Sequence, residues 1–564
     1  MDRSDASLST SAGRLRAADK PSSSPSRHHT APRLPASYGI ALGLAGLALA
    51  LYWGTILARR FDGLYGQDAF AYYTYALRVW ESVGALTLPP PFHWPVGYPA
   101  LIAAGFLLTG FSPLAGQLVS SLAGTGVVLL TSLLAHELLV QERLPVPAAR
   151  WTAAVAGLLA AACGQLWQWS ITVMADTPAL CWATLAAWAL VRYPRERRLR
   201  WLVLAAAALA WAMMTRWVYA LLGVPFAVYW ILALSRPPTR QADQKTRRQS
   251  DTETIALSPG LSISQSSDPP VSASQPAPIS AHLLAAALIG LVVLAPQIAL
   301  SAAFPEPLLE HQWLVGWSPL NAVRSSFETV DGYAIYPLPV ALFYAKAAAS
   351  PRYLFPLFTP FLLLGLVVVV RRRWWPAAAL LIGWGAIIYG FLCGIPYQNF
   401  RFTLALLPPE AILTSIGLQQ AWHWLAPRWR PLLLAALLAG LLGGLWYSGQ
   451  VVDEFLDRKE ADLAVARWVA SQVPPDGQVL AFGITLTLQH YTSLDVHEIF
   501  FLAPADLQRL LANDRPTYLV VAVEDLERQW RGYAPERAYR WLQDGPGLAP
   551  LGIRSGYTLF RVGR

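Results

Sequence analysis

Six charged residues stand at the edges of apolar runs, where a charge is costly unless something uses it. They are Asp68 in "YGQDAFAYY", Asp176 in "SITVMADTPAL", Arg216 in "WAMMTRWVYALLG", Arg401 in "CGIPYQNFRFTLALLPP", and Lys346 and Arg352 flanking "AAASP". A carboxylate held among aromatics at a bilayer boundary is partly desolvated and can take a proton from a hydroxyl. A guanidinium in the same setting offers a planar fork that fits phosphate oxygens two at a time. Together these residue types could take a proton from a hydroxyl and hold a phosphate presented from the membrane.

Each has a plainer reading. Phe70, Tyr73, Leu77 and Trp80 recur at helical spacing, so Asp68 falls near the N-cap of a helix. Asp176, followed by Thr177 and Pro178, has the same N-cap reading. Arg216 either snorkels to lipid headgroups or holds a phosphate, and Arg401 at the head of an apolar run follows the same logic. Lys346 and Arg352 sit in a loop rich enough in charge for either to be a surface residue. His93 and His311 are isolated and lack a second ligand at metal spacing, so no metal site is expected.

The elements that position these residues are membrane spans. The chain of 564 residues is 55% apolar and 14% charged, against roughly 25% charged for soluble domains. Spans of about 20 apolar residues are expected at 38–58, 113–139, 151–169, 177–192, 199–214, 217–234, 281–302, 353–370, 375–393, 401–418 and 431–448, eleven in all. The stretch "VGYPALIAAGFLLTG", broken by Gly97 and Pro99, is expected to lie along or dip into the outer leaflet rather than cross. The odd-even order then places the basic N-terminal tail, Arg143 with Arg150, "RYPRERRLR", the linker 236–280, Arg371 to Arg373, and Arg428 with Arg430 in the cytoplasm, as the positive-inside rule requires. The same order puts all six candidate residues at external span ends or in external loops. The net charge of +9 is thereby a topology signal, and no nucleic-acid partner is expected.

Residues 1–37 and 236–280, rich in Ser, Pro, Ala and Arg, read as a disordered tail and a disordered cytoplasmic linker. Residues 303–352 read as a large external loop. After residue 448 the pattern changes: "KEADLAVARWVASQV" is amphipathic, and "GQVLAFGI", "PTYLVVAV" and "YTLFRVG" are strand-like. Residues 449–564 are therefore predicted to form a small soluble α/β domain on the extracytoplasmic side, for acceptor recognition or structural support. Cys163, Cys181 and Cys393 all fall in apolar runs and read as packing residues.

In order and sidedness, "YGQDAFAYY", "WPVGYPALIAAGFLLTG", "SITVMADTPAL", "MMTRWVYAL" and "QNFRFTLALLPP" resemble the GT-C superfamily of polytopic glycosyltransferases. The nearer likeness is to the dolichyl-phosphate-mannose protein mannosyltransferases and to bacterial relatives such as the lipid A aminoarabinose transferases. The likeness covers most of residues 38–448. It implies a GT-C-like helical membrane domain that moves a sugar from a polyprenyl phosphate donor to an envelope lipid, glycan or protein hydroxyl, with inversion at the anomeric carbon. By the same resemblance Asp68 is the first-loop acid that activates the acceptor and Asp176 the second-loop acid. Arg216 and Arg401 resemble the residues that hold the donor phosphate, and Lys346 and Arg352 are weaker candidates for that role. The chain departs from the protein mannosyltransferases at Ala69, where they carry Glu after the acid, which argues against a protein acceptor. No cofactor is required in this scheme, because a monophosphate leaving group can be neutralised by fixed cations. The alternative is a transporter or flippase of a lipid-linked saccharide, which would more naturally show internal repeats and helices broken at mid-membrane.

Overall fold

A computed structural model describes residues 36–236, 279–304, 315–329, 331–513 and 515–563. Residues 1–35, most of the linker at 237–278, and 305–314 with His311 lie outside the described residues.

In chain order the first helices are α1 (Ala36–Arg59), α2 (Gln67–Gly84), α3 (Gly97–Thr109), α4 (Leu114–Gln141), α5 (Val146–Ala161), α6 (Gly164–Ile171), α7 (Asp176–Glu196), α8 (Leu199–Thr215), α9 (Gly223–Leu234) and α10 (Ile279–Ala303). A hairpin of β1 (Ser326–Thr329) and β2 (Gly332–Ile335) follows, then α11 (Val340–Ala345), α12 (Thr359–Arg371), α13 (Trp375–Gly394), α14 (Leu407–Trp424) and α15 (Arg430–Gln472).

Each of the eleven expected windows contains helix, although residues 353–355 lie outside it and the window at 151–169 breaks at 162–163. Among the described residues, seven helices are long and apolar enough to cross a membrane, or eight when α5 and α6, bent by 59° at Ala162–Cys163, are taken as one span. The windows at 199–214 and 353–370 fall on shorter apolar helices. The window at 177–192 falls on α7, which carries Asp176, Arg192, Arg195 and Glu196 and is buried along most of its length. The helix α3, with 13 residues, is too short to span, as its Gly and Pro content leads one to expect.

Two cores organise the molecule. One large apolar cluster joins α1 and the helices from α4 to α15, but not α2 or α3. A second lies beneath the first loop, where Leu64, Phe70, Tyr72, Tyr98, Ile102 and Phe106 pack with Val173 to Ala175 and Met214.

Helix α15 runs 43 residues without interruption, so the boundary expected at 448/449 falls inside it. Beyond it a five-stranded mixed sheet has the order β4-β3-β5-β7-β6, with β3 (Gln478–Ala481), β4 (Asp495–Glu498), β5 (Thr517–Val521), β6 (Leu548–Arg554) and β7 (Tyr557–Val562). Strands β4, β3 and β5 are parallel, while β7 is antiparallel to both neighbours. The central strands β3 and β5 are buried on both faces, which explains their near-continuous apolar runs.

Candidate active site

Four chain segments meet at one point. Val173 N donates to Gly63 O at 3.0 Å, and Gln117 Nε2 donates to Phe61 O at 2.9 Å and Ile171 O at 3.0 Å, so the first and second loops are tied together. Gly97 lies so close to Met214 that an added Cβ would stand 2.6 Å from the Met214 carbonyl oxygen. The "VGYP" and "MMTR" segments therefore meet at a glycine, and the next residues of the second segment are Thr215 and Arg216.

Asp68 sits in the first turn of α2 and Asp176 is the first residue of α7. Neither helix has a side-chain N-cap hydrogen bond; the flanking positions are Gly66 and Ala175. Both carboxylates are engaged elsewhere, so the cap reading of each gives way to an ionic one. Arg216 Nη2 lies 2.7 Å from Asp176 Oδ2. Arg401 Nη2 lies 2.8 Å from Asp68 Oδ2, and its Nε is 3.4 Å from Asp176 Oδ2. The result is a chain of alternating charge, Asp68, Arg401, Asp176, Arg216, drawn from four loops.

The two cations are presented alike. Arg216 is the extended residue between α8 and a 3-10 turn, Trp217–Leu222, that leads into α9. Arg401 is the second residue of a 3-10 turn, Phe400–Leu406, that leads into α14, and its backbone N donates to the Asn399 side chain at 3.0 Å. Short 3-10 turns are frequent at helix N-termini, and here one follows Arg216 and another contains Arg401. The guanidinium of Arg401 also lies 5.3 Å from the Trp169 ring and 5.5 Å from the Phe402 ring. The cluster is shielded: side-chain exposure is 9% for Asp176, 11% for Arg401, 18% for Arg216 and 24% for Asp68. In that setting charge pairs are felt far more strongly than in water. The Nε of Arg216 is buried with no hydrogen-bond partner among the described residues, which leaves it a donor for an incoming anion.

Two residues that composition did not single out belong here. Tyr72, one turn beyond Asp68 on α2, is buried against Trp94 and Tyr98 with ring centroids 4.9 and 5.1 Å away. Burial, with the facing acids Asp68 and Asp176, raises its phenol above the usual range. Asp331, beside the tip of the β1–β2 hairpin, is raised by burial and then by the charge of Asp68. The i, i+4 spacing marks Tyr72 in the sequence. No local signal marks Asp331.

Arg352 pairs with Glu454 of α15 at 3.1 Å, with both side chains about half exposed. Lys346 is exposed at the start of a 3-10 turn. No described ion pair joins either to the four-residue cluster.

Residues 93–242 match the family described as dolichyl-phosphate-mannose-protein mannosyltransferase. No curated protein matches the chain by sequence. Among solved structures, ArnT from Cupriavidus metallidurans in the apo state is similar over 93% of this chain and 98% of its own, at 14% identity and a TM-score of 0.56. The chain has the ArnT-like GT-C fold. ArnT bound to undecaprenyl phosphate gives 15% identity over 93% and 97% of the two chains and a TM-score of 0.55. The oligosaccharyltransferase of Archaeoglobus fulgidus in its apo form shares the GT-C arrangement over 86% of this chain and 70% of its own, at 13% identity and a TM-score of 0.51. The match to ArnT over nearly the whole of both chains takes in the C-terminal sheet domain as well as the helical bundle.

Proposed function

We propose that the protein is an inverting glycosyltransferase that moves a sugar from a polyprenyl phosphate donor to a hydroxyl of an envelope lipid or glycan on the outer face of the membrane. One observation carries the reading: two carboxylates and two guanidinium groups, far apart in sequence, are linked in one shielded cluster by successive ion pairs of 2.7, 3.4 and 2.8 Å. The family match to dolichyl-phosphate-mannose-protein mannosyltransferases and the fold shared with ArnT bound to undecaprenyl phosphate point to the same class of donor.

In this mechanism Asp68 accepts the proton of the acceptor hydroxyl as its oxygen bonds to the anomeric carbon. The bond from that carbon to the phosphate oxygen breaks, its electron pair stays with the phosphate, and polyprenyl phosphate leaves. Attack opposite the leaving group inverts the centre. The charge that grows on the phosphate is met by Arg216 and Arg401, and preorganised donors of that kind act where charge develops. Asp176 holds both cations in place through its Oδ2. No cofactor is needed for this scheme, since two fixed cations face a single leaving phosphate. The donor's tail keeps its phosphate at the bilayer boundary, which is why the four residues stand at span ends.

The test is sugar transfer from radiolabelled polyprenyl phosphate sugars to envelope extracts, with mass spectrometry of the product, by wild type and Asp68→Asn. The expected loss is about 10²- to 10⁴-fold, the usual contribution of a general base. Full activity of the variant removes the base assignment. Movement of the lipid-linked sugar across the bilayer with no new glycosidic bond would replace the whole reading by that of a flippase.

A further inference from the structure

The C-terminal domain contacts two segments of the first part of the chain, the α1–α2 region and the β1–β2 hairpin. On one side, Tyr491 at the end of α16 (Thr485–Tyr491) donates its hydroxyl to Asp62 Oδ2, and Lys459 of α15 bonds both Asp62 and that hydroxyl, the latter at 2.9 Å. Asp62 lies in the turn between α1 and α2, where its Oδ1 accepts from Leu64 N at 3.0 Å. The rings of His490 and Tyr491 meet Phe70 at 5.6 and 6.2 Å, and His490 meets Tyr73 at 6.0 Å. The helix that carries Asp68 is therefore held before and after that residue by one short helix of the distal domain.

On the other side, Gln529 takes hold of the hairpin tip. Its Nε2 donates to the Asp331 carbonyl at 2.8 Å, and its own carbonyl accepts from Tyr333 N at 2.8 Å. Gly332, with φ of +92°, lies so close that an added Cβ would stand 2.4 Å from the Gln529 carbonyl oxygen. From the hairpin, rings step inward to the cation: Tyr336 to Tyr397 at 6.5 Å, Tyr397 to Phe402 at 6.4 Å, and Phe402 to the Arg401 guanidinium at 5.5 Å. Gln398 Nε2 donates to Leu338 O at 2.6 Å and Tyr344 OH to Tyr397 O at 3.0 Å, which fixes the same loop to the turn that presents Arg401. The Asp331 carboxyl is raised first by burial and then by the charge of Asp68.

We propose that the C-terminal domain is a positioning part of the catalytic centre, setting the Asp68 helix through Tyr491 and the Asp331 hairpin through Gln529, so that the acceptor hydroxyl is held between them. This rests on the transferase reading above and deepens it. Tyr491 and Gln529 act through other groups and are positioning residues. A displacement of about 1 Å at a reacting group costs on the order of 10²-fold in rate, so a modest loosening of either grip is measurable.

The experiment uses the full-length protein in detergent or nanodiscs, as wild type, Tyr491→Phe, Gln529→Ala and Gln529→Arg. Tyr491→Phe keeps the ring and removes the hydroxyl, and Gln529→Arg returns an N–H donor toward the Asp331 carbonyl. Hydrogen exchange over residues 67–84 and 326–335 reads the grip without reference to activity. Turnover per folded molecule and the KM for donor read its consequence. The expected result is faster exchange at 67–84 in Tyr491→Phe and at 326–335 in Gln529→Ala. Turnover falls about 10- to 100-fold with donor KM unchanged, and Gln529→Arg recovers much of it. Unchanged exchange at both segments overturns the proposal whatever the activity, as does faster exchange with full turnover. A wild-type protein that transfers no sugar overturns the functional reading instead, and the exchange result separates the two failures.

Discussion

Arg401 stands between two acids, with Nη2 2.8 Å from Asp68 Oδ2 and Nε 3.4 Å from Asp176 Oδ2. Only a side chain with donors on more than one edge can serve both. Lysine brings a single ammonium and loses the fork. Arg401→Lys is therefore expected to lower sugar transfer by about 10²-fold, comparable to removal of one preorganised donor, while the protein still inserts and folds. Transfer assays on purified variant and wild type decide it, and near-normal turnover would show that the bridge is dispensable.

Asp176 compensates two buried cations at once. Asp176→Ala leaves Arg216 and Arg401 facing each other in a shielded cleft, a loss of about 3 kcal/mol or more by the usual cost of breaking a buried pair. Thermal unfolding in detergent should show a marked drop in midpoint for Asp176→Ala. Neutralising the opposite partner as well, in Asp176→Ala with Arg216→Met, should restore part of it.

Gly97 has no room for a methyl group against the Met214 carbonyl. Gly97→Ala must push α3 away from the end of α8 and move Arg216 with it. The expected cost is about 1 to 3 kcal/mol of stability together with weaker binding of polyprenyl phosphate, measured by thermal shift with and without that lipid. An equal shift by the lipid in both proteins would break the link between this contact and the phosphate site.

Asp331 is held above its ordinary value of 3.8 by burial and by Asp68. A carboxyl raised in the folded state contributes stability that is whole below the unfolded value and is lost as pH rises through the folded one. Asp331→Asn removes that loss. The variant should match or exceed wild-type stability at pH 7 to 8 and lose the advantage as pH falls below about 4. Unfolding midpoints across that range test the sign, and transfer should fall at every pH if Asp331 faces the acceptor.

The four clustered residues were legible because an ionisable group at the end of an apolar run is conspicuous whatever the fold. Bringing them together was not, since their spacing along the chain runs to hundreds of positions. Arg352 carried the same local signal and found Glu454, a partner 102 residues further along the chain. Tyr72 was readable at one turn from Asp68 yet lost among the many aromatics of the first loop. The hairpin tip at Asp331 is defined by Gln529, so no window around it could reveal it. Strands β3, β5 and β7 showed as apolar runs, whereas β4, "DVHE", is an edge strand with one buried residue and has no pattern to find.

The unbroken helix from Arg430 to Gln472 runs from the apolar bundle to the distal sheet, with Leu437 in the core of the first and Val465 in that of the second. Its length acts as a ruler. Removing one residue near 450 would swing the sheet by about 100° and draw it in by about 1.5 Å, taking Tyr491 and Gln529 off their targets together. Removing seven would restore the facing almost fully but seat the domain about 10 Å too low. A change in the length of that helix therefore acts on both contacts at once, whereas a change in a loop can act on one of them alone.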